Sequence, residues 1–395
     1  MIFGATGIIR GAASFPFLES PAMQGVAISG TGLYVPDQII SNQELVTAFN
    51  QYVAQENQRN AAAITAGAAE PLLESSVEFI LKASGIERRH VIEKSGILDP
   101  QRMRPRFAPR ANDELSLMAE IAVAAAREAL VNADRTAADI DAVICAASNM
   151  QRAYPAMAIE IQDALGIEGY GFDMNVACSS ATFGMEQAVN AIRSGSARAV
   201  LVINPEITSA HHCWYDRDCH FIFGDICTAI VLERADSAQA GSWEVLGTKL
   251  ATRFSNNIRN NAGFMDRCED ADPQARDKLF TQEGRKVFKE VCPMAATHIG
   301  EHLGSLGIAP ASGVRRYWLH QANLAMNQLI TRKLLDRDPS AEEAPVILDE
   351  FANTASAGSI IAFHQHRADL ACGDVGVICS FGAGYSIGSV VLRKM

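Results

Sequence analysis

The residues with the clearest chemical potential are a thiol, an imidazole and a carboxamide that lie far apart in the chain. Cys178 lies in NVACSSATFG, between an apolar, strand-like run and an amphipathic, helix-like one. A thiol at a helix N-terminus is close to the positive end of the helix dipole, which favours the thiolate. Only small residues flank it: Ala177, Ser179, Ser180 and Ala181. Taken alone, Cys178 is as consistent with a packed core thiol as with a nucleophile.

His320 and Asn353 are candidate partners for this thiol. His320 follows an apolar run in LHQAN and begins a polar turn, which would be costly to bury without hydrogen bonds. Asn353 in FANTASAGS stands among residues too small to fill a core, which suggests space for a ligand. A cysteine with two hydrogen-bonding partners is the arrangement of a nucleophilic enzyme.

An internal repeat predicts how these side chains meet. Segments 141–165 and 314–335 both have a strand, a polar turn and a helix, and 171–189 and 346–366 repeat that pattern further along. Duplication at this length predicts two like α/β halves packed together. In such a pair Cys178 and Asn353 hold equivalent positions, and His320 lies at the neighbouring strand end. All three then converge at the carboxyl ends of strands.

Other patterns complete this secondary-structure prediction. Apolar residues at helical spacing indicate a helix over 114–134, and residues 43–83 are also predicted to be helical. Short apolar runs at 141–149 and 228–234 are typical of buried strands. Strands that alternate with helices in this way indicate α/β layers around a mostly parallel sheet.

Size and composition restrict the class of protein. A chain of 395 residues with 48% hydrophobic residues is typical of a globular protein with two packed units. The predicted division is a loose N-terminal extension at 1–22 without secretory-signal features, an N-terminal half at 23–236 and a C-terminal half at 237–395. Nine cysteines in no regular framework indicate reduced thiols and a cytoplasmic protein.

Charge and hydropathy restrict the partners. No run of eighteen apolar residues occurs, so no membrane span is predicted. A net charge of −11 disfavours nucleic acid as a partner, because phosphate contacts require clustered positive charge. Any acidic protein partner would have to dock on a local basic patch.

Five motifs occur together in one order. They are the Cys178 stretch, FGD at 223–225, HQAN at 320–323, NTASAGS at 353–359 and the closing SFGAGYSIGSVVLR. On these motifs the chain from about Val26 onward resembles β-ketoacyl-acyl carrier protein synthase III, a condensing enzyme of the thiolase superfamily. The resemblance implies an α/β, thiolase-like fold, with two duplicated α/β halves packed as a layered αβαβα assembly.

The resemblance also implies a reaction. Cys178 would take the acyl group from an acyl-CoA primer, and malonyl-acyl carrier protein would then lose CO2 and be acylated. His320 and Asn353 would hydrogen-bond the malonyl thioester oxygen, and the backbone N–H groups of Cys178 and Ala383 would form the oxyanion hole, with Ala383 in place of a family glycine. CoA thioesters are the substrates, and no metal or other cofactor is implied.

Further site residues are implied by the same resemblance. Phe79 and Arg217 match a pair that holds the adenine of CoA, and Asn323, Phe223 and Phe288 match contacts of the pantetheine arm. Tyr154 matches an aromatic residue that closes the acyl pocket of the partner in a homodimer. Arg332 and Lys333 match basic residues that dock the acidic carrier.

The chain also departs from the family pattern. Ser179, Ser180 and Ala181 replace the residues that usually follow the cysteine, Arg285 replaces an asparagine, and Ala325 replaces an arginine. Residues 51–76 are an apparent insertion before Phe79. These departures leave acetyl-CoA specificity and carrier docking open, and we hypothesise a pocket for a longer primer, such as a medium-chain acyl-CoA. Whether the extender is carried on acyl carrier protein or on CoA stays open too.

Several alternatives compete with this interpretation. A thiolase would need a second catalytic cysteine, for which Cys379 is the candidate, but other thiolase motifs are absent. Hydroxymethylglutaryl-CoA synthase would need an acidic residue within 149–154, where none occurs. A condensing enzyme of secondary metabolism and a non-catalytic partner subunit are further possibilities. HHCWYDRDCH at 211–220 suggests zinc, but its spacing fits no common site.

Overall fold

A computed structural model describes residues 24–270, 272 and 275–395. The extension predicted at 1–22 lies outside the described residues. The strands are β1 (Val26–Tyr34), β2 (Gln38–Ser41), β3 (Arg88–Val91), β4 (Ala142–Ala146), β5 (Tyr170–Met174), β6 (Ala199–Glu206), β7 (Ile226–Arg234), β8 (Trp243–Ser255), β9 (Ile258–Arg259), β10 (Thr281–Gln282), β11 (Arg316–Leu319), β12 (Val375–Gly382) and β13 (Gly384–Lys394).

The α-helices lie between these strands. They are α1 (Asn42–Arg59), α2 (Ala61–Thr65), α3 (Val77–Ser84), α4 (Leu117–Ala133), α5 (Met157–Leu165), α6 (Ser180–Arg193), α7 (Gly284–Ser305), α8 (Pro310–Gly313), α9 (Leu324–Leu335), α10 (Leu348–Phe351) and α11 (Gly358–Gln365). The predicted helix over 114–134 and the strands at 141–149 and 228–234 are confirmed, apart from their terminal residues.

The main sheet has the strand order β11-β12-β13-β8-β1-β7-β6-β4-β5. The two halves meet where β1 pairs with β8, through Ala27 with Glu244 and Ile28 with Trp243. The prediction of a mostly parallel sheet is wrong. Strand β4 pairs in parallel with β5 and β6, and β11 pairs in parallel with β12. The other pairings in the sheet are antiparallel. The reason is that β6–β7 and β12–β13 are joined without a crossover α-helix, so these neighbours run in opposite directions.

Each half of the main sheet has apolar residues on both faces, and helices cover all of these faces, so the protein has five layers. Helices α4 and α5 pack on the outer face of the β1–β7 half, around residues such as Ile121 and Val143. Helices α6 and α11 are buried between the halves, where Trp243, Trp318 and Phe363 pack edge to face. Helices α7 and α9 cover the outer face of the C-terminal half. This is the αβαβα layering expected from the sequence.

The repeat is real, but its register differs from the prediction. In each half an asparagine side-chain oxygen accepts a hydrogen bond from the alanine N–H two residues later, at 2.9 Å in both Asn175–Ala177 and Asn353–Ala355. Both alanines have a left-handed φ, 47° and 48°. Asn353 is therefore the counterpart of Asn175 and not of Cys178, whose counterpart is Ser356.

The strand predicted before Asn353 is also absent. Residues 345–347 form no strand, and α10 follows them directly. At the free edge of β11, the N–H of Tyr317 donates to the carbonyl of Glu343, and the Gln321 side chain accepts from the N–H of Ile347. These contacts take the place of a paired strand, which explains why the apolar run VIL was misread.

The insertion predicted at 51–76 is only partly helical, as is the longer segment 43–83. Helix α1 continues through its first part, short α2 follows, and the chain then returns in extended form along α1. Asn50 and Asn57 hold this return by hydrogen bonds to the backbone of Ser75 and Leu72. The insertion is thereby packed beside the 211–220 segment, where Tyr52 meets Tyr215.

Candidate active site

The three side chains identified in the sequence line one cavity. This cavity has a volume of about 1120 Å³, and Cys178, His320 and Asn353 are all on its wall. Cys178, His320 and Gly382 place it at the carboxyl ends of β5, β11 and β12, so strands of both halves contribute to it. The convergence predicted from the repeat is therefore observed, although the register of the repeat is different.

Cys178 lies in a single 3-10 turn, Ala177–Ser179, that leads into α6. Its own backbone N–H and that of Ala383 hydrogen-bond the sulfur and lower the pKa of the thiol. Burial and the charge of Glu206 outweigh them and raise this pKa to about 12. The N–H groups at the helix end thus act on the thiol in the expected direction, but the surroundings of the sulfur outweigh them.

Gly382, the last residue of β12, determines how close the two halves come at the sulfur. A Cβ atom at this position would lie 2.6 Å from the Cys178 Cβ and 3.1 Å from its Sγ. Only a residue without a side chain allows Cys178 and the N–H of Ala383 to approach in this way. Gly382 belongs to the closing motif, but nothing in its type or spacing marked it as a neighbour of the thiol.

His320 is held by its backbone and by one aromatic ring. Its N–H donates to the carbonyl of Cys379 at 2.8 Å, and its ring packs edge-on against Phe381 at 5.2 Å between centroids. Burial lowers the pKa of the imidazole to about 4, so the ring is neutral at physiological pH. Cys379 itself is buried in β12 and is not among the residues that line the cavity.

Asn353 is fixed by a short parallel bridge to Phe223. Its N–H donates to the carbonyl of Ile222 at 2.9 Å, and its carbonyl accepts from the N–H of Gly224 at 3.1 Å. Because Oδ1 already accepts from Ala355, the side-chain Nδ2 group is the donor that remains for a ligand. The bridge brings the FGD and NTASAGS motifs together in the fold.

The residues matched to the pantetheine arm also line the cavity. Phe223, Phe288 and Asn323 are all on its wall. The amide of Asn323 is engaged at both ends, donating to the carbonyl of Ala83 at 2.6 Å and accepting from the N–H of Ala325 at 2.9 Å.

The pair matched to the adenine is closed on itself. The guanidinium carbon of Arg217 lies 4.0 Å from the ring centroid of Phe79, so no space for a purine exists between them. The Nε of Arg217 donates to the carbonyl of Glu74 at 2.7 Å, at the end of the inserted segment. An adenine could enter this sandwich only if the two side chains separated.

Like Phe79 and Arg217, three further predicted contact residues, Tyr154, Arg332 and Lys333, lie outside the cavity lining. Tyr154 is 84% exposed in the loop between β4 and α5. Arg332 and Lys333 lie in the last turn of α9, where Arg332 pairs with Asp338 at 2.5 Å and Lys333 is exposed. Arg285, one of the departures from the family pattern, lines the cavity, and no ion pair to it is found in the described part of the chain.

The segment 211–220 packs as part of an aromatic core. His212 meets Trp214 and Phe223 edge to face, and His220 stacks on Phe49 at 4.3 Å. Burial lowers the pKa of His220 to about 4. Within residues 24–270, 272 and 275–395, no cluster of three metal-ligating side chains occurs. None of the helices in the same ranges is both long and apolar enough to cross a lipid bilayer.

Comparison with known proteins identifies the family. The family model described as 3-oxoacyl-[acyl-carrier-protein (ACP)] synthase III matches residues 172–253, and that of its C-terminal part matches residues 308–394. The chain is 62% identical over 348 residues to beta-ketodecanoyl-[acyl-carrier-protein] synthase of Pseudomonas aeruginosa. The aligned region covers 88% of this chain and 99% of the relative.

More distant relatives agree. Beta-ketoacyl-[acyl-carrier-protein] synthase III of Mesorhizobium japonicum is 31% identical over 82% of this chain and 93% of its own length. The crystal structure of 3-oxoacyl-[acyl-carrier-protein] synthase III from Aquifex aeolicus superposes with a TM-score of 0.73 at 24% identity, covering 93% of this chain and 100% of the other, which shows the same fold. The chain therefore belongs to the 3-oxoacyl-[acyl-carrier-protein] synthase III family of condensing enzymes and has its thiolase-like, layered α/β fold.

Proposed function

We propose that this chain catalyses the decarboxylative condensation of a medium-chain acyl-CoA with malonyl-acyl carrier protein. The observation that carries the proposal is the 62% identity, across nearly the whole relative, to a synthase named for a beta-ketodecanoyl product. A ten-carbon 3-oxoacyl product, less the two carbons that malonyl contributes, corresponds to an eight-carbon primer. A cavity of about 1120 Å³ around Cys178 is large enough for such a chain.

In the first half-reaction, the Cys178 sulfur attacks the carbonyl carbon of the acyl-CoA thioester. A carbon–sulfur bond to Cys178 forms, the bond to CoA breaks, and the thiol proton leaves with CoA. The N–H groups of Cys178 and Ala383, which hydrogen-bond the sulfur, are placed to stabilise negative charge on the carbonyl oxygen. Each such donor typically lowers the barrier by about 3 kcal/mol.

In the second half-reaction, malonyl-acyl carrier protein occupies the same cavity. His320, whose lowered pKa keeps it neutral, and the free Nδ2 of Asn353 donate to the malonyl thioester oxygen as CO2 leaves. The carbanion attacks the acyl carbon, and the bond to Cys178 breaks. The sulfur leaves as a thiolate, which takes one proton from water to regenerate the thiol. Phe223, Phe288 and Asn323 would contact the pantetheine arm of either substrate, and Phe79 and Arg217 the adenine.

The chemistry requires no further cofactor, and we propose that the enzyme works in the cytoplasm as a homodimer. Support for the dimer comes from β5, the edge strand of the main sheet, where Tyr170 and Phe172 are exposed. Ile159 and Tyr154 add exposed apolar surface from the segment that precedes this strand. Arg332 and Lys333 would contribute to docking of the carrier.

Intact-protein mass spectrometry with a panel of acyl-CoA primers tests the proposal. We expect an acyl adduct that is absent in Cys178→Ala, with formation fastest for medium-chain primers. Fastest acylation by acetyl-CoA would refute the chain length, and no adduct with any primer would refute the enzymatic function. A subsequent chase with malonyl-acyl carrier protein or malonyl-CoA would identify the extender.

A further inference from the structure

Glu206 is a buried carboxylate behind the turns that carry Cys178 and Asn353, and none of the roles above uses it. It is the last residue of β6 and is 1% exposed. It forms no ion pair within the described ranges, so its charge is not balanced by a cation there. A carboxylate buried without a cation is costly unless its oxygens are fully hydrogen-bonded.

The hydrogen bonds of Glu206 join two turns that belong to different halves. Oε1 accepts from the N–H of Ser148 at 2.9 Å and from the N–H of Ser356 at 3.2 Å, and the Ser356 hydroxyl donates to the same oxygen. Oε2 accepts from the Ser148 hydroxyl at 2.5 Å. One side chain thus links the turn after β4 to the turn that contains Asn353.

Each serine leads directly to a residue of the candidate site. Ser148 accepts through its carbonyl from Asn175 at 2.8 Å, and Asn175 in turn accepts from the N–H of Ala177, next to Cys178. Ser356 follows Ala355, whose N–H fixes the amide of Asn353. Glu206 is therefore connected by hydrogen bonds to the turn of the nucleophile and to the turn of the carboxamide.

The repeat gives this contact a counterpart. Glu206 and Gly382 are each the last residue of an eight-residue strand in their half. Gly382 faces Cys178, and Glu206 faces Ser356, which holds the position equivalent to Cys178. The half without a nucleophile thus uses that position for a serine–carboxylate contact.

The charge of Glu206 acts on the thiols around it. Burial is the main reason why the pKa values of Cys145 on β4, Cys227 on β7 and Cys178 are raised, and the charge of Glu206 raises each of them further. Burial raises the pKa of Glu206 itself to about 7, so its charge is present above that pH and lost below it. In the free enzyme this charge opposes ionisation of the sulfur.

We propose that Glu206 is a positioning residue that clamps the Asn353 turn to the Cys178 turn and that its negative charge acts on the nucleophile. The expected effect of the clamp on condensation rests on the proposed function. The effect of the charge can be measured without any substrate. Failure of the inference and failure of the proposed function are therefore distinguishable.

Glu206→Gln tests the charge. Its amide oxygen can keep the three bonds of Oε1, and its NH2 group can donate to the Ser148 hydroxyl, so the clamp is retained. One pH unit below 7, we expect Cys178 of this variant to react with iodoacetamide at the wild-type rate. One unit above 7, we expect it to react about tenfold faster than the wild type. Superimposed pH profiles would overturn the charge role.

The matched control for charge is Glu233→Gln. Glu233 is also buried, but it pairs with Arg135 at 2.9 Å near the other end of the sheet. Its loss should leave the alkylation profile of Cys178 unchanged. A shift equal to that of Glu206→Gln would show a general loss of protein charge and would overturn the assignment to Glu206.

Glu206→Asp tests the clamp. The shorter side chain keeps the charge but cannot reach Ser148 and Ser356 together. We expect condensation to fall about tenfold or more, because small displacements of reacting groups are costly, while alkylation follows the wild-type pH profile. Circular dichroism verifies folding. Wild-type condensation by folded Glu206→Asp would overturn the clamp.

Discussion

Replacement of Gly382 by alanine should separate the nucleophile from its oxyanion donors without unfolding the protein. The new Cβ would lie 2.6 Å from the Cβ of Cys178, whereas ordinary contacts begin at 3.4 Å, so one of the two backbones must move by about 0.8 Å. Gly382 has no left-handed φ, so alanine adds no conformational strain. The contact is therefore the only perturbation.

The expected loss follows from this displacement. Misplacement of reacting groups by about 1 Å costs on the order of 100-fold in rate, and loss of one backbone donor costs about 3 kcal/mol. We expect acylation of Gly382→Ala by a medium-chain acyl-CoA to be about 100-fold slower. The overpacked contact should lower the free energy of unfolding by about 1–3 kcal/mol.

Rapid-quench mass spectrometry of the acyl adduct measures the rate, and urea denaturation measures the stability. Gly304→Ala is the control, because Gly304 lies in α7 with no heavy atom within 4 Å of the new Cβ. This variant should acylate normally and gain about 0.5–1 kcal/mol of stability. Wild-type acylation by folded Gly382→Ala would show that the approach of β12 to Cys178 does not govern the reaction.

Three further predictions concern pH, the cavity wall and assembly. Because burial lowers the pKa of His320 from 6.5 to about 4, unfolding takes up protons in that interval. Burial also lowers the pKa of His211, His220 and His302 to about 4, so the free energy of unfolding should fall by about 2 kcal/mol or more between pH 6.5 and 5. Equal midpoints of urea denaturation at the two pH values would contradict this. Arg285→Asn should raise KM for acyl-CoA about fivefold at unchanged kcat, because the Arg285 guanidinium on the cavity wall can bind a phosphate group of CoA. An unchanged KM would exclude a contact between Arg285 and the phosphate. Phe172→Lys on the exposed edge of β5 should give a monomer by light scattering, and an unaltered mass would place the interface elsewhere.

The sequence allowed the family, the layers and the meeting of the three side chains to be predicted, because each depends on local pattern. Apolar periodicity defines α4 and α6, and the repeated order of strands and helices indicates two halves. Strand direction was mispredicted, because it depends on which strands become neighbours, and the local pattern of apolar residues does not show this. The absent strand at 346 shows the same limit, since Glu343 and Gln321 satisfy the β11 edge instead.

The electrostatic environment of the site was the least predictable part. The position of Cys178 before a helix suggested a lowered pKa, whereas its burial and the proximity of Glu206 raise it. Both causes depend on residues brought together from distant segments. One signal was visible: Glu206 ends the mainly apolar run AVLVINPE, and a carboxylate is unusual in a buried strand.

The place of β13 between β12 and β8 has a consequence for synthesis on the ribosome. All strands of the β1–β7 half lie within Val26–Arg234 and can pair as soon as they emerge. Strand β8 is complete at Ser255, but its partner β13 is not complete until Lys394 has been translated. At roughly 5–20 residues per second, one edge of β8 stays unpaired for about 10–30 s. During this interval the nascent chain presents a long open edge beside a finished half, and an unpaired edge of this kind can pair with a strand of another chain.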